Sequence, residues 1–342
     1  LIVRARAPLR LGLAGGGTDL SPFCNLFGGC VLNATIDLYA YAHIETALDN
    51  SLRLSAQDTG AELATAAVPA LELGGPLALH KAVYNRIVRD FCGGQPLAMR
   101  LTTHCDAPPG SGLGSSSTLV VAMIKAFVEW LRLPLGEYDV ARLAFEIERQ
   151  DVGLSGGRQD QYAATFGGFN FMEFYADERV IVNPLRIKNW ILSELESSIV
   201  LYSTGVSRLS AAIIDEQTRN MREPGSASID ALKRLKEDAI AMKEAVLKGD
   251  FSALAERMRD SWEAKKLTAH GITTPEIDAL FLRAMEAGAL AGKVSGAGGG
   301  GFVIFFVDPG RRINLIRALS GLSGEVRPCH FTKRGTEGWR LD

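Results

Sequence analysis

The run Pro108-Pro109-Gly110-Ser111-Gly112-Leu113-Gly114-Ser115-Ser116-Ser117-Thr118 passes without interruption into the apolar stretch Leu119 to Leu131. Three loop glycines, four successive hydroxyl residues and a helix-length apolar segment confine this part of the chain to a glycine-rich connection feeding a helix. Such a junction suits an anion. Glycines let backbone N–H groups come close without Cβ interference, and the first helical turn offers unpaired donors carrying a partial positive charge. The hydroxyls of Ser115 to Thr118 can cap the helix, touch phosphate oxygens or face Mg2+. The run has no lysine for G-x-x-x-x-G-K-[ST], and its glycine spacing departs from G-x-G-x-x-G, so it matches neither of those nucleotide loops. A plain glycine turn ending in a serine cap is the competing structural reading.

The remaining chain narrows the choice. At 342 residues and 47% hydrophobic content it can bury a large core, and its length corresponds to about two domains with a cleft between them. A net charge of -2 and a pI near 6.3, with dispersed basic residues, give no electrostatic footprint for nucleic acid or an anionic membrane. Small molecules are the expected partners. The five cysteines, Cys24, Cys30, Cys92, Cys105 and Cys329, lack a C-x-x-C pair, which fits a reducing cytoplasm better than a disulfide framework or zinc site. No apolar run reaches the length of a membrane span, and Leu1 to Arg6 lacks a secretory-signal pattern.

Patterning predicts strands over 1–7, 29–48, 97–104, 167–174, 178–186, 198–203, 301–307 and 325–332. Helices are predicted over 76–92, 115–131, 137–150 and 309–320, and 206–289 reads as mostly helical, with Gly249 as a helix stop. This order gives an α+β fold of two domains, 1–185 and 186–342, with the active-site cleft between them.

Two further glycine turns carry polar groups, and a third borders a strand. Arg10 followed by Gly15-Gly16-Gly17-Thr18-Asp19 brings a permanent cation and a carboxylate around a turn, as a sugar or phosphate ligand requires. Gly156-Gly157-Arg158-Gln159-Asp160 follows Glu146-Ile147-Glu148. Asp160 can take a proton from an attacking hydroxyl, and Glu148 can complete an oxygen-ligand magnesium site. Ser295-Gly-Ala-Gly298-Gly-Gly-Gly301 precedes the apolar strand Phe302 to Val307. Each has a structural alternative: a solvated turn, an exposed helix face for Glu148, a tight strand entry.

Taken in this order, the three segments resemble the motifs of the GHMP kinase superfamily, which includes galactokinase, homoserine kinase and mevalonate kinase. The resemblance rests on Pro8, Arg10 and Asp19, on Pro108 to Thr118, and on Ser295 to Gly301. It implies ATP phosphates in the loop Pro109, Gly110, Ser111, Gly112, Leu113, Gly114, Ser115, Ser116 and Ser117. It further implies Mg2+ near Ser115, Ser116 and Glu148, and Asp160 with Arg10 as the catalytic pair. Gly16, Gly17, Thr18, Asp19 and Gly298 should face the acceptor.

The longer string Ala7 to Pro22, with Gly28-Gly29 and Thr204-Gly205-Val206-Ser207-Arg208, is most similar to kinases of D-glycero-α-D-manno-heptose 7-phosphate. That implies transfer of the ATP γ-phosphoryl group to the anomeric hydroxyl, giving the 1,7-bisphosphate for GDP-heptose supply. A phosphorylated sugar needs a second anion site, for which Thr204, Gly205, Arg208, Arg158 and Arg10 are the candidates. Fucokinase-like action on another sugar is the alternative, and a catalytically silent sugar sensor or a phosphorylation-coupled decarboxylase is less favoured. A homodimer is a compatible assembly.

Overall fold

The structure, a computed structural model, describes residues 1–206, 210–223 and 226–341. One sheet contains β1 (Ile2–Ala14), β2 (Gly29–Thr46), β3 (Ser51–Ala56), β4 (Ala61–Ala66), β5 (Met99–Cys105), β6 (Phe169–Phe174), β7 (Val180–Pro184) and β12 (Glu337–Leu341). Its main path runs β12-β1-β2-β5-β3-β4, with β6 and β7 branching from the first half of β2. A second, antiparallel sheet has the order β11-β8-β10-β9, from β8 (Ile199–Ser203), β9 (Ala289–Val294), β10 (Phe302–Val307) and β11 (Glu325–Arg327).

The helices are α1 (Phe23–Phe27), α2 (Ala78–Phe91), α3 (Ser115–Leu131), α4 (Glu137–Glu146), α5 (Gln159–Phe166) and α6 (Asn189–Ser198). After them come α7 (Ser210–Asn220), α8 (Ala227–Lys248), α9 (Phe251–Lys266), α10 (Pro275–Glu286) and α11 (Arg312–Ser320). The predicted helix over 137–150 begins as α4, then widens into a π turn at Ile147–Asp151.

Strand alternation explains how the two sheets meet. Leu9, Leu11 and Leu13 of β1 share a core with Leu201, Ile304 and Phe306 of the second sheet and with Met242 and Met258 of α8 and α9. Arg10 and Gly12, between those leucines, belong to the opposite side of the strand. In β10 the other face also closes, because Val303, Phe305 and Val307 pack with residues of α10 and α11. Burial on both faces accounts for the unbroken apolar sequence of β10. Each large side chain so buried contributes about 1.5–3 kcal/mol. The α+β architecture expected from sequence is present, as is Gly249, which ends α8 with a φ of 72°.

Several local readings need correction. β1 does not stop before Pro8 but continues past Arg10 to Ala14, so Arg10 sits on a strand and is aimed by its pleat. The hairpin β3–β4 and strands β9 and β12 lie where no strand was predicted, and the strand expected over 325–332 is confined to Glu325–Arg327. β12 leaves the C-terminal half and pairs antiparallel with β1, Val3 opposite Arg340, so the end of the chain belongs to the first sheet. The sequence of β12, Glu-Gly-Trp-Arg-Leu, has too little apolar alternation to announce a strand.

Candidate active site

A cleft of about 430 Å3 lies where the α3 and α5 N-termini approach α7, α9 and the 296–297 turn. The glycine run forms one wall. Gly110, Gly112 and Gly114 all have φ between 76° and 78°, a left-handed backbone that favours glycine. Space imposes the same choice, since a Cβ on Gly112 would stand 2.3 Å from the carbonyl oxygen of Ser295.

The serines do not cap α3, contrary to one sequence expectation: Gly114 occupies the N-cap position and there is no side-chain cap hydrogen bond. Their hydroxyls are spent elsewhere. Ser116 Oγ donates to Glu148 Oε1 at 3.2 Å, Ser117 Oγ accepts from Gln161 Nε2 at 3.1 Å, and Ser115 Oγ donates to the Pro108 carbonyl at 3.4 Å. The donors of the first turn, which have no partner within the helix, are thereby left to a ligand. Pro109, Gly110, Gly112, Gly114 and Ser115 to Ser117 line the cleft. Leu113 is fully buried, and Ser111, 2% exposed, accepts the Leu113 N–H, so these two hold the loop from behind.

Three carboxylates flank the loop, in three different states. Asp160, on the first turn of α5, is gripped by Arg10, and its carboxylate lies against Gly114. Asp19 is almost fully committed: it accepts the N–H of Gly17, the N–H groups of Arg158 and Gln159, and the Gln159 side-chain amide, all at 3.0–3.2 Å. It therefore caps α5 and fixes the turn that carries Asp160, although it also borders the cleft. Glu148 is fully buried, not on an exposed helix face, and its second oxygen accepts from Gln161 Nε2 at 2.6 Å. Among the described residues Gln161 Oε1 has no partner. Sequence reading passed over Gln161; its signal was a place one residue after Asp160, on the face of α5 turned toward α3.

The cations divide similarly. Arg10 is 3% exposed and also donates through Nη1 to the Gly112 carbonyl at 2.6 Å, tying β1, the glycine loop and α5 together. Arg149, unremarked in the sequence, clamps the carbonyls of Leu154, Ser155 and Gly157. Lys265 and Lys293 were also missed as site residues. Lys265 Nζ donates to the Gly16 carbonyl at 3.0 Å, and Lys293 Nζ to those of Gly12 and Leu13 at 2.8 and 3.1 Å. Burial pushes the Lys265 ammonium down to about 8 and that of Lys293 to about 7.

Other expected site residues fall outside the cleft lining. Arg158 turns its guanidinium to the Tyr175 carbonyl and the Phe145 ring, leaving only its backbone N–H on Asp19. Thr18 is fully buried, its hydroxyl bridging Gly15 and Cys30. Gly298 packs on Ile272, and Thr204 Oγ1 accepts from Val206 and Gly301, which supports the terminal glycine turn. Gly205 is not among the residues that line the cleft, and Arg208 lies outside the described residues. Gly16, Gly17, Asp19 and Asp160 do meet around one space. Among the described residues no three His, Cys, Asp or Glu side chains converge as a metal cluster, and no helix is long and apolar enough to cross a membrane.

Comparison with known proteins places this geometry. Residues 78–168 match the profile of the GHMP kinases N terminal domain, and residues 242–322 match that of the GHMP kinases C terminal domain. The chain is 50% identical over 339 residues to D-glycero-alpha-D-manno-heptose 7-phosphate kinase of Campylobacter jejuni, covering 99% of both. L-fucokinase/L-fucose-1-P guanylyltransferase of Bacteroides fragilis is 26% identical over 93% of this chain but only 36% of that longer protein. The crystal structure of a D-glycero-D-manno-heptose 1-phosphate kinase from Bacteroides thetaiotaomicron superposes with a TM-score of 0.86 at 46% identity, covering 99% of each chain. A mevalonate kinase at 18% identity shares the fold with a TM-score of 0.74 over 97% of this chain and 99% of that one. Matched in both halves by the family's two domains, and half identical to a relative along its whole length, the chain belongs to the GHMP kinases.

Proposed function

We propose that this kinase transfers the γ-phosphoryl group of ATP to the anomeric hydroxyl of D-glycero-α-D-manno-heptose 7-phosphate. One observation carries the reaction: the Asp160 carboxylate, anchored by Arg10, stands against Gly114 at the mouth of the phosphate loop. A hydroxyl placed there has a carboxylate to receive its proton and a phosphoryl group to attack. The new bond joins the anomeric oxygen to Pγ, the bridging bond to Pγ breaks, and ADP leaves with its electrons. Arg10 holds Asp160 ionically and offsets charge on the acceptor oxygen, which is the electrostatic and positioning work phosphoryl transfer demands.

The choice of sugar follows the full-length likeness to the Campylobacter heptose 7-phosphate kinase. The Bacteroides structure bears the name of a heptose 1-phosphate kinase, so the two relatives' names differ on which phosphate is present at the start.

The donor set fits magnesium. Glu148 and the Ser116 hydroxyl are hard oxygen ligands already in contact, and the neighbouring Gln161 Oε1 is buried with no partner among the described residues. Mg2+ keeps several waters and phosphate oxygens and needs only one or two protein carboxylates. Glu148, Ser116 and Ser115 would hold it, where it would neutralise β- and γ-phosphate charge. The cytoplasm, where ATP and sugar phosphates are available, is the expected compartment.

ADP release, followed with ATP, Mg2+ and a panel of heptose 7-phosphate, heptose 1-phosphate, heptose and fucose, tests the assignment. Heptose 7-phosphate should give the highest kcat/KM, with phosphate appearing on C1. A preference for fucose or for heptose 1-phosphate overturns it.

A further inference from the structure

Among the described residues, the cleft contains one cation whose donors are largely unspent. Lys265 enters from the last turn of α9, is 6% exposed, and lies beside Gly16 and Gly17. An ammonium has three donors. Among the described residues, the Gly16 carbonyl is the acceptor that Lys265 holds, and no carboxylate comes within salt-bridge distance of it. By contrast Arg10 is committed to Asp160 and Gly112, and Arg149 to three carbonyls.

The neighbourhood is short of negative charge. Asp19 is the carboxylate that acts on Lys265, and its oxygens are already bonded to four N–H groups. Arg10 adds positive charge at the same place, and Lys293 shares a small cavity with Lys265 that includes the unpartnered Ser261 hydroxyl. A buried cation without a counter-ion is costly, and Lys265 is placed as one, whereas Arg10 is paired with Asp160 and Lys293 is held by the Gly12 and Leu13 carbonyls. Lys265 reaches the cleft beside the Gly16–Gly17 turn, the side expected to face the acceptor, and not from the glycine run at the α3 N-terminus expected to hold ATP.

We infer that Lys265 binds the phosphate group already carried by the acceptor and so selects phosphorylated over free sugars. This rests on the proposed action on a sugar phosphate and adds the group that reads its phosphate. It also explains why the site tolerates an unpaired ammonium: the substrate completes the ion pair, and two free donors match phosphate oxygens at hydrogen-bond range. The sequence expectation put this task on the 204–208 segment together with Arg158 or Arg10, but the Arg158 guanidinium is turned away and Arg10 is committed to Asp160 and Gly112.

The test compares wild-type enzyme with Lys265→Met and Lys265→Gln, using heptose 7-phosphate and unphosphorylated heptose as acceptors. Methionine fills the volume without charge, and glutamine keeps a donor for Gly16, so one of the two guards against a folding defect; thermal melts verify both. The preference for heptose 7-phosphate, as the ratio of kcat/KM values, should fall about 10- to 100-fold, the loss of a charge-assisted contact. The loss should appear in KM more than in kcat, and Lys265→Arg should recover part of it. Equal losses with both sugars would make Lys265 a hydroxyl contact and overturn the inference. So would a rise in the KM for ATP with the sugar ratio unchanged. If wild-type enzyme does not use heptose 7-phosphate at all, the proposed substrate fails, and that result is read from the wild type alone.

Discussion

Arg10 holds a single oxygen of Asp160 twice, with Nε at 2.8 Å and Nη2 at 2.6 Å from Oδ1, while Oδ2 faces Gly114. The arginine thus fixes the carboxylate without occupying the oxygen nearest the glycine loop. Asp160→Asn preserves shape but cannot accept a proton in the same way and weakens the ion pair. It should lower kcat by at least about 100-fold, the usual scale of general-base loss, with the fold and ATP binding retained. Steady-state ADP release alongside nucleotide titration checks this, and a variant within a few-fold of wild type would take Asp160 out of the reaction.

Asp19 and Gly157 form a second tight pair. A Cβ at position 157 would lie 1.9 Å from Asp19 Oδ2, so Gly157→Ala must displace the carboxylate that caps α5. Because α5 begins with Gln159 and Asp160, the damage should reach catalysis. We expect a loss of about 1–3 kcal/mol in urea unfolding and at least a tenfold fall in kcat. Asp19→Ala should show a similar stability loss. Unchanged unfolding in both would mean that the cap is dispensable.

Legibility of this site from sequence followed the range of the interactions involved. The glycine run and α3 were readable because the cause is local: left-handed backbone needs glycine, and seventeen residues from Ser115 to Leu131 carry helix-compatible apolar character. Asp160 and Arg10 were nameable as residue types, but their pairing spans 150 positions and depends on β1 running on to Ala14. Lys265 gave no signal at all. It stands among the charged residues of α9, such as Glu263 and Lys266, and only the packing of α9 on β1 and β9 shows that it is buried. Arg158 failed for the reverse reason: it sits in the right motif, yet the α5 cap uses its backbone and sends the side chain away. Position in a motif does not determine side-chain direction.

Glu148 and Ser116 define the expected metal position. Glu148→Gln removes the charge while its amide oxygen can still accept from Gln161, so the buried contact survives in part. The free Mg2+ needed for half-maximal rate should rise at least about tenfold, the loss that follows even when a metal site's supporting partners are removed. Titrating Mg2+ at fixed ATP measures it. An unchanged requirement would place the metal elsewhere.

Lys265 also makes stability depend on pH in a direction opposite to that of a paired lysine. Its folded value is pushed from 10.5 down to about 8, by burial first and by Arg10, against the pull of Asp19. Between those values the unfolded chain holds the proton and the folded chain does not, so raising the pH favours folding. Below about pH 8 the penalty is fully present; above about 10.5 it is gone. Lys293, shifted the same way toward about 7, is present in both wild type and Lys265→Met and largely cancels in their difference. In urea unfolding without ligand, wild-type stability relative to Lys265→Met should therefore rise by on the order of 2–3 kcal/mol from pH 8 to pH 10. Saturating sugar phosphate supplies the missing counter-charge and should flatten that rise. A pH-independent difference between the two unliganded proteins would mean that Lys265 is solvated, and its role as a buried, unbalanced cation would fall with it.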